Sequence, residues 1–438
     1  MAKKVLIMGA AGRDFHVFNT CYREDPTHQV VAFTATQIPG IDARTYPAVM
    51  SGPLYPEGIP ILPERDLEKI IGEHWVTEVV FAYSDVSYDY IAKVSRRVEA
   101  TGASFNLFDA DKTMIRSKKP VVAVCAVRTG CGKSSVSRYI VSTLRDMGLR
   151  VAALRHPMPY GNLSDQVVQR FETIADLERH NCTIEEMEEY EPHIQAGNLI
   201  FAGADYARIL AAAEKEADVI LWDGGNNDTA FIKPDLYVNL LDPLRPGHEM
   251  DYFPGRWNVE RADVQVMTKI DEARPVDIEA VRENALKLNP DAPVIEGHSP
   301  IELADPSLVE GKRVVVIEDG PTVTHGGMGY GAGFLAAQRA GAAEIVDPRP
   351  FVEGEIASAF EVYPHLDKVL PALGYGERQL ADLENTINSI DCDAVVIGTP
   401  IDLARILKIT KPTVRVTYSF KESEGGKLTK MVQDKFGK

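Results

Sequence analysis

Short apolar runs alternate with amphipathic stretches along the first third of the chain. Between the runs, apolar residues recur with helical spacing, for example near Phe15 to Tyr22. Alternating strands and helices predict a parallel sheet covered on both faces. Residues 1–118 are therefore predicted to form a Rossmann-like α/β domain. Four runs have the length of buried strands: Lys4–Met8, Gln29–Thr34, Glu78–Tyr83 and Ser104–Leu107.

The alternation continues after Lys118-Lys119-Pro120, which marks the first predicted domain boundary. Residues 119–310 are predicted to form a central domain and residues 311–438 a third α/β unit, each a three-layer domain built on a parallel sheet. The acidic stretch Glu185 to Glu191 is predicted to be a solvated helix face, and the polar tail Lys421 to Lys438 to be frayed or helical. The long loop Ile38 to Pro63 is predicted to be a structured lid or an interface.

The apolar run Val121 to Val127 leads into a glycine turn and then into a helical pattern. Strand, phosphate loop and helix follow in the order that a P-loop requires, because the turned backbone N–H groups and the helix N-terminus bind phosphate. Lys133 is predicted to reach the β- and γ-phosphates, and the Ser134 hydroxyl to hold Mg²⁺. The predicted nucleotide-binding residues of this loop are Thr129, Gly130, Cys131, Gly132, Lys133, Ser134 and Ser135.

The loop departs from the pattern G-x-x-x-x-G-K-[ST] at its first glycine, which is Val127 here. Arg128 follows it, at the position where one P-loop subclass often carries an extra lysine. That subclass includes dethiobiotin synthetase and the nitrogenase iron protein. Arg128 is therefore predicted to act on the phosphates as a catalytic cation.

Two further strand ends of the central domain carry candidate catalytic groups. Arg155 and His156 follow one apolar run, and residues at the carboxyl ends of parallel strands face the ligand crevice. Arg155 is therefore predicted to bind substrate and His156 to be catalytic. Asp223 ends another run and is predicted to bind Mg²⁺ together with Ser134. Asn226, Asn227 and Asp228 are candidates for positioning water.

The residues Thr268-Lys269-Ile270-Asp271 follow a late strand of the same domain. The tetrad [NT]-K-x-D is the guanine-reading loop of many GTPases. Thr268, Lys269 and Asp271 are therefore predicted to contact the nucleotide base, with ATP and GTP both left open.

Glycine is concentrated between Gly326 and Gly333, after a strand of the third unit. Such a run costs chain entropy and presents many backbone N–H groups. It predicts a second anion site that faces the first across a cleft, with a flexible hinge as the alternative. The substrate-binding residues predicted here are Thr324, His325, Gly326, Gly327 and Gly331, and His325 is also predicted to be catalytic. The shorter turn Gly9 to Gly12 is predicted either to bind a phosphoryl group or only to allow close packing.

The composition of the chain argues against some classes of function. The 438 residues carry a net charge of −17, which argues against a nonspecific nucleic-acid binder. An anionic substrate would then need a local basic pocket. No apolar stretch has the length of a membrane span, no signal peptide is recognised, and five scattered cysteines fit reduced thiols. We therefore expect a cytoplasmic protein without membrane or nucleic-acid partners, and a homodimer is compatible with the sequence.

Several motifs together resemble the cyclic 2,3-diphosphoglycerate synthetase family. They are VRTGCGKSS, RHPMPYG, WDGGNND, TKID, EDGPTVTHGGMGYGAG and IGTPID. The resemblance implies an ATP-dependent synthase that closes a phosphoanhydride within 2,3-bisphosphoglycerate, although many relatives are described only as predicted GTPases. We therefore expect NTP and Mg²⁺ to act on a small anionic phosphorylated substrate. A regulatory or metallochaperone GTPase and an NTP-dependent carboxylate ligase are the alternatives. The cations predicted to clamp the phosphates are Arg128, Lys133, Arg155, His156 and His325.

Overall fold

The chain folds around three mainly parallel sheets, as predicted for an α/β protein. The computed structural model describes residues 2–35, 44–156, 163–225, 228–373 and 377–437. The predicted residues Asn226 and Asn227 lie outside these ranges, as does the PMPYG part of the RHPMPYG motif. Among the described residues, no helix combines the length and the apolar character that a membrane crossing would need.

The first sheet has six strands, of which only the edge strand Thr45–Tyr46 is antiparallel to its neighbour. All four predicted strands of this region are present. In spatial order the strands are Thr45–Tyr46, Ile59–Pro63, His28–Ala35, Lys3–Met8, Glu78–Phe81 and Ser104–Leu107. The α-helices of this unit are Arg13–Val17, Ala48–Ser51, Leu67–His74 and Tyr88–Glu99. The described part of the predicted long loop thus contains a short helix and two strands that extend the sheet.

The central sheet has nine strands, and its middle strand Val121–Ala126 is buried along its whole length. A strand covered on both faces has a continuous apolar sequence rather than an alternating one. In spatial order the strands are Gln169–Phe171, Leu199–Ala202, Val151–Arg155, Val219–Trp222, Val121–Ala126, Leu236–Leu241, Val264–Met267, Val294–His298 and Lys421–Glu422. The first and last of these are antiparallel to their neighbours. The helices are Lys133–Asp146, Ile174–Arg179, Ile184–Gln195, Tyr206–Ala213, His248–Asp251, Gly255–Arg261, Pro275–Leu288 and Lys427–Phe436.

The third sheet has six strands and places the carboxyl end of Arg313–Glu318 at its centre. In spatial order the strands are Ile301–Leu303, Thr413–Tyr418, Ala394–Ile397, Arg313–Glu318 and Glu344–Ile345, and Leu370–Pro371 also pairs with Arg313–Glu318. The α-helices are Gly320–Val323, Ala332–Arg339, Gly354–Val362 and Glu377–Ser389.

Two segments do not belong to the sheet to which a domain boundary at residue 310 would assign them. Ile301–Leu303 pairs with the third sheet, whereas Lys421–Glu422 returns to the central sheet. The tail is helical over Lys427–Phe436, one of its two predicted states. Leu428, Val432 and Phe436 pack into the core that surrounds the helix Lys133–Asp146. The end of the chain therefore supports the helix that follows the phosphate loop.

The helix Ile184–Gln195 differs from its prediction as a solvated face. Four of its glutamates are almost fully buried, namely Glu185, Glu186, Glu188 and Glu191. Thr399 of the third unit donates to Glu188, and Arg405 of the same unit forms an ion pair with Glu191 at 2.7 Å. The helix therefore lies between the central and the third unit, which brings acidic side chains into their interface.

Candidate active site

The phosphate loop has the backbone that its glycines predict. Gly130 and Gly132 adopt positive φ angles of 81° and 90°, a region that residues with a Cβ atom rarely enter. The helix then begins at Lys133. The N-terminus of this helix and the loop amides together form the kind of site that binds phosphate.

Lys133 and Asp223 belong to one buried network of charges. Nζ of Lys133 donates to the carbonyl oxygen of Gly224 and lies 3.5 Å from Oδ1 of Asp223. Nη1 of Arg155 donates to Oδ2 of Asp223 at 2.6 Å, and Nε2 of His193 lies 3.1 Å from the same oxygen. Burial alone would raise the pKa of Asp223, but the charges of Arg155 and Lys133 outweigh it and hold this pKa well below its usual range. Asp223 is therefore an anion that positions two cations at the strand ends.

The tetrad Thr268-Lys269-Ile270-Asp271 lies directly beside the phosphate loop. Oγ1 of Thr268 donates to the carbonyl oxygen of Cys131 at 2.6 Å, and Nζ of Lys269 donates to that of Gly130. Lys269 has a φ of 57°, which is uncommon for a residue with a side chain. Asp271 accepts from the backbone N–H of Ser299 at 3.1 Å. The tetrad thus supports the loop, and its contact with a nucleotide base stays a prediction.

Arg128 is held by a residue of the first unit that sequence reasoning did not single out. Nε of Arg128 donates to Oδ1 of Asp85 at 2.6 Å, and both side chains are about 7% exposed. The loop amide of Thr129 donates to the other Asp85 oxygen at 3.3 Å. The Arg128 guanidinium also lies 3.9 Å above the ring of Tyr252. Asp85 has a φ of 60°, which is uncommon for a residue with a side chain. This backbone angle is visible only in the folded chain, so the sequence could not have singled out Asp85.

The glycine-rich stretch of the third unit binds a carboxylate of the protein itself. The backbone N–H groups of Gly331, Gly333 and Phe334 donate to the carboxylate of Glu318 at 2.7–3.1 Å. A Cβ atom at Gly331 or at Gly398 would lie 2.6 Å from Oε2 of Glu318, so glycine is required for this approach. Burial raises the pKa of Glu318 to about 7, and the three N–H groups act in the opposite direction. These amides are therefore taken by Glu318, which corrects the expectation of an open anion site at Gly331.

The other residues predicted in this stretch serve the packing of the loop. Oγ1 of Thr324 donates to the carbonyl oxygen of Gly320 at 2.7 Å. Nη1 of Arg245 donates to the carbonyl oxygen of Gly326 at 2.6 Å, and Arg128 lies 3.5 Å from that of His325. At these positions the glycine-rich stretch therefore packs directly against the phosphate loop, through carbonyl oxygens that accept from arginines, rather than facing it across a cleft.

His156 lies away from Arg155, on the side of the first unit. Its Nε2 lies 2.6 Å from Oδ2 of Asp228, and its Nδ1 contacts the hydroxyl of Tyr206. A Cβ atom at Gly12 would lie 2.7 Å from the His156 ring. Close packing therefore explains why this position of the turn Gly9 to Gly12 is a glycine. In the same turn, the Asp14 carboxylate accepts from the amides of Ala11 and Phe15. The structure therefore separates His156 from the network of Lys133 and Asp223.

One open cavity joins the phosphate loop to the third unit. Its empty space measures about 1300 Å³, including the part that opens to solvent. Five acidic side chains belong to its wall, namely Glu188, Glu189, Glu272, Glu318 and Asp319. The sequence-predicted residues that line it are Arg128, Thr129, Gly130, Gly132, Lys133, Ser134, Ser135, Arg155, Lys269 and Gly331. Of the described residues that were predicted, Cys131, His156, Asp223, Asp228, Thr268, Asp271, Thr324, His325, Gly326 and Gly327 are not part of this lining.

The sequence analysis did not predict the acidic side chains of the cavity wall, although the pattern at two of them resembles the pattern at Asp223. Glu318 and Asp319 follow an apolar strand, as Asp223 does, and the rule that selected Asp223 applies equally to them. Glu188 and Glu189 offer no such signal, because the acidic helix that carries them has the composition of a solvent-exposed one. The cavity wall therefore combines cations with carboxyl groups, of which Glu189 is paired with Arg155 at 2.7 Å.

Of the two residues predicted to bind Mg²⁺, Ser134 suits the ion better than Asp223. Ser134 lies on the cavity wall, and its side chain carries a hydroxyl oxygen. Both carboxylate oxygens of Asp223 contact cationic or imidazole nitrogen atoms. In the described part of the chain, no group of three or more His, Cys, Asp or Glu side chains is arranged around a common metal position. Mg²⁺ is commonly held by one or two protein oxygens together with substrate phosphates, and Ser134 suits that arrangement.

The chain is similar in sequence or in structure to several known proteins. It is 56% identical over 432 residues to the arginine synthetase ArcE of Thermococcus kodakarensis, which covers 99% of this chain and 96% of the relative. It is 27% identical over 315 residues to a tetraacyldisaccharide 4'-kinase of Anaeromyxobacter dehalogenans, covering 68% and 79% of the two chains. The structure of LpxK from Aquifex aeolicus in complex with ATP matches 84% of this chain and 99% of its own, with a TM-score of 0.46 and 15% identity. No family profile matches the chain.

Proposed function

The chain belongs to the family of the arginine synthetase ArcE, and from this we propose that it is an NTP-dependent P-loop synthetase that forms arginine. The observation that carries the proposal is the shared cavity. Lys133 and Ser134 of the phosphate loop and the carboxyl groups of Glu188 and Asp319 line the same space. A nucleotide triphosphate at the loop would therefore face a wall suited to a cationic or N–H-rich substrate.

The product defines the chemistry that such a synthetase has to perform. A guanidinium group is a ureido group whose oxygen has been replaced by nitrogen. In the first step the ureido oxygen attacks the γ-phosphorus, and the bond from that phosphorus to the β–γ bridging oxygen breaks, which releases NDP. Ammonia then attacks the ureido carbon, the carbon–oxygen bond breaks, and inorganic phosphate leaves. One proton goes to the phosphate, and the guanidinium keeps the others.

The residues of the phosphate-loop wall would stabilise the charge that moves in the first step. Lys133 and Arg155 are held at the strand ends by Asp223, and Arg128 is oriented by Asp85. Preorganised cations stabilise such charge well because they need not reorient as it develops, and most strongly where bound substrates displace water. Mg²⁺, when bound with the nucleotide on Ser134, would neutralise charge on the phosphate oxygens. Positioning and charge stabilisation thus account for most of the work of the protein.

The synthesis of a phosphoanhydride from 2,3-bisphosphoglycerate is the competing hypothesis, and the cavity wall disfavours it. That substrate carries two phosphates and a carboxylate, whereas the cavity wall already carries five acidic side chains, of which Glu189 is paired with Arg155. Like charges repel, most strongly where a bound ligand displaces water. The amides that were expected to bind its phosphate donate to the carboxylate of Glu318 instead. The relative that covers nearly the whole chain also carries a different name from the one that the resemblance implied.

Phosphate release by the purified protein tests the proposal. We expect ATP or GTP to be turned over when the ureido analogue of arginine and ammonium are both present, with arginine detected by mass spectrometry. Reactions with 2,3-bisphosphoglycerate, and reactions with nucleotide alone, serve as the comparison. Turnover that requires 2,3-bisphosphoglycerate would identify a phosphoanhydride synthase. Turnover that needs no small substrate would favour a GTPase switch, and turnover that needs a carboxylate would favour a ligase.

A further inference from the structure

Two carboxyl groups from different units meet at the cavity wall opposite the phosphate loop. Glu188 belongs to the helix Ile184–Gln195, and Asp319 directly follows the strand Arg313–Glu318. Each carboxyl group affects the pKa of the other, and Glu188 is only 3% exposed. Both side chains line the cavity. The pair thus forms a buried acidic cluster on the wall of a cavity that a ligand can enter.

The hydrogen bonds around this pair are incomplete. Oγ1 of Thr399 donates to Oε1 of Glu188 at 2.5 Å, and both the backbone N–H, at 3.2 Å, and the hydroxyl of Thr322 donate to Oδ2 of Asp319. With both carboxyl groups ionised, Oε2 of Glu188 receives no hydrogen bond from an N–H or O–H group of the described residues. A buried acceptor without a donor costs on the order of 1–3 kcal/mol. Burial and the charge of Asp319 also hold the pKa of Glu188 well above its usual range.

Cations of the protein at the cavity wall are engaged elsewhere. Arg155 forms ion pairs with Asp223 at 2.6 Å and with Glu189 at 2.7 Å. Lys133 donates to Gly224 and lies beside Asp223. The groups that most affect the pKa of Glu188 are burial, acidic side chains and the Thr399 hydroxyl. In these contacts of the described residues, no cation of the protein donates to the pair, and the cavity is the route by which a ligand can supply one.

We propose that Glu188 and Asp319 form the subsite for the guanidinium head group and that they distinguish it from the neutral ureido group. This inference rests on the proposed function and assigns the recognition to these two side chains. A guanidinium presents N–H donors in a planar fork that matches carboxylate oxygens, and its charge relieves the repulsion between two carboxylates. The subsite would hold the reacting carbon on the wall that faces Lys133.

Binding measurements on the full chain test this subsite. Calorimetric titrations use arginine, its ureido analogue and the nucleotide, with wild type, Glu188→Gln and Glu191→Gln. Glutamine keeps an oxygen that can accept from Thr399 but removes the charge. We expect Glu188→Gln to weaken arginine binding about 10- to 100-fold, the loss typical of a charge-assisted hydrogen bond. The ureido analogue should lose less than about threefold, and the nucleotide should be unaffected.

The control variant carries the same change on the same helix. Glu191 is buried and paired with Arg405, but it is not part of the described cavity lining. Glu191→Gln should bind arginine as wild type does. Equal losses for arginine and the ureido analogue in Glu188→Gln would overturn the proposed discrimination. Binding of Mg²⁺ alone that disappears in Glu188→Gln would also overturn it, because the pair would then be a metal site.

The same experiment separates this inference from the proposed function. If arginine binds in a Glu188-dependent way but the wild type forms no arginine from its ureido analogue, the subsite stands and the synthetase assignment fails. If Glu188→Gln forms arginine and binds it as the wild type does, the synthetase assignment stands and the subsite fails. If the wild type binds no arginine, the subsite is excluded.

Discussion

Replacement of Lys133 by alanine is expected to reduce nucleotide turnover about 100- to 1000-fold, the cost of removing one preorganised charge from a transition state. Lys133 begins the helix that follows the phosphate loop, and its Nζ lies between the loop and Asp223. This charge would stabilise the phosphoryl group as it leaves the nucleotide. The measurement is kcat for phosphate release at saturating nucleotide and substrate.

The control for this prediction is alanine at an exposed lysine. Lys215 lies on the surface and outside the described lining of the cavity. Lys215→Ala should retain the turnover of wild type, and both variants should unfold at the wild-type temperature to within a few degrees. Near-wild-type turnover by Lys133→Ala would rule out the phosphate loop as the site of chemistry.

Asp223→Ala is expected to lower the free energy of unfolding by about 3–5 kcal/mol, the cost of leaving buried cations without their partner. Asp223 is fully buried and contacts Arg155, Lys133 and His193. Without it, the buried Arg155 keeps Glu189 as its ionic partner, and Lys133 keeps the carbonyl oxygen of Gly224 but no ion pair with Asp223. Turnover should fall as well, because Asp223 positions both cations. Urea denaturation followed by circular dichroism measures the change in stability.

An exposed ion pair provides the contrast. Glu68 and Arg97 are both more than 40% exposed and lie 2.8 Å apart. Pairs of this kind contribute at most about 1 kcal/mol, so Glu68→Ala should have little effect. A loss below about 1 kcal/mol for Asp223→Ala would show that water reaches the network and that it does not hold Arg155 and Lys133 in place.

The sequence predicted the elements that local rules determine. The phosphate loop and the strand that ends at Asp223 follow from apolar runs, glycine positions and the geometry of parallel strands. Arg155 and His156 show the limit of the same rule. Neighbouring residues of a strand point to opposite faces, so only one of two consecutive residues can face a given site. Arg155 faces the cavity and His156 the first unit.

The glycine-rich stretch shows what sequence could not distinguish. A run of glycines that presents N–H groups has the same pattern whether the anion is a substrate phosphate or a carboxylate of the chain. Glu318, close in sequence, is the anion here, and the choice depends on the packing of Gly331 and Gly398 against it. The burial of the glutamates on Ile184–Gln195 was likewise unpredictable, since it arises from contact with another unit.

The fate of one oxygen atom tests the central claim most directly. The claim is that a phosphoryl group passes from the nucleotide at Lys133 to a substrate held by the acidic wall of the same cavity. The ureido analogue of arginine is labelled with ¹⁸O at its ureido oxygen and converted with nucleotide and ammonium. The account predicts that each inorganic phosphate released carries one ¹⁸O atom. Phosphate that contains oxygen from water, and none from the substrate, would contradict it.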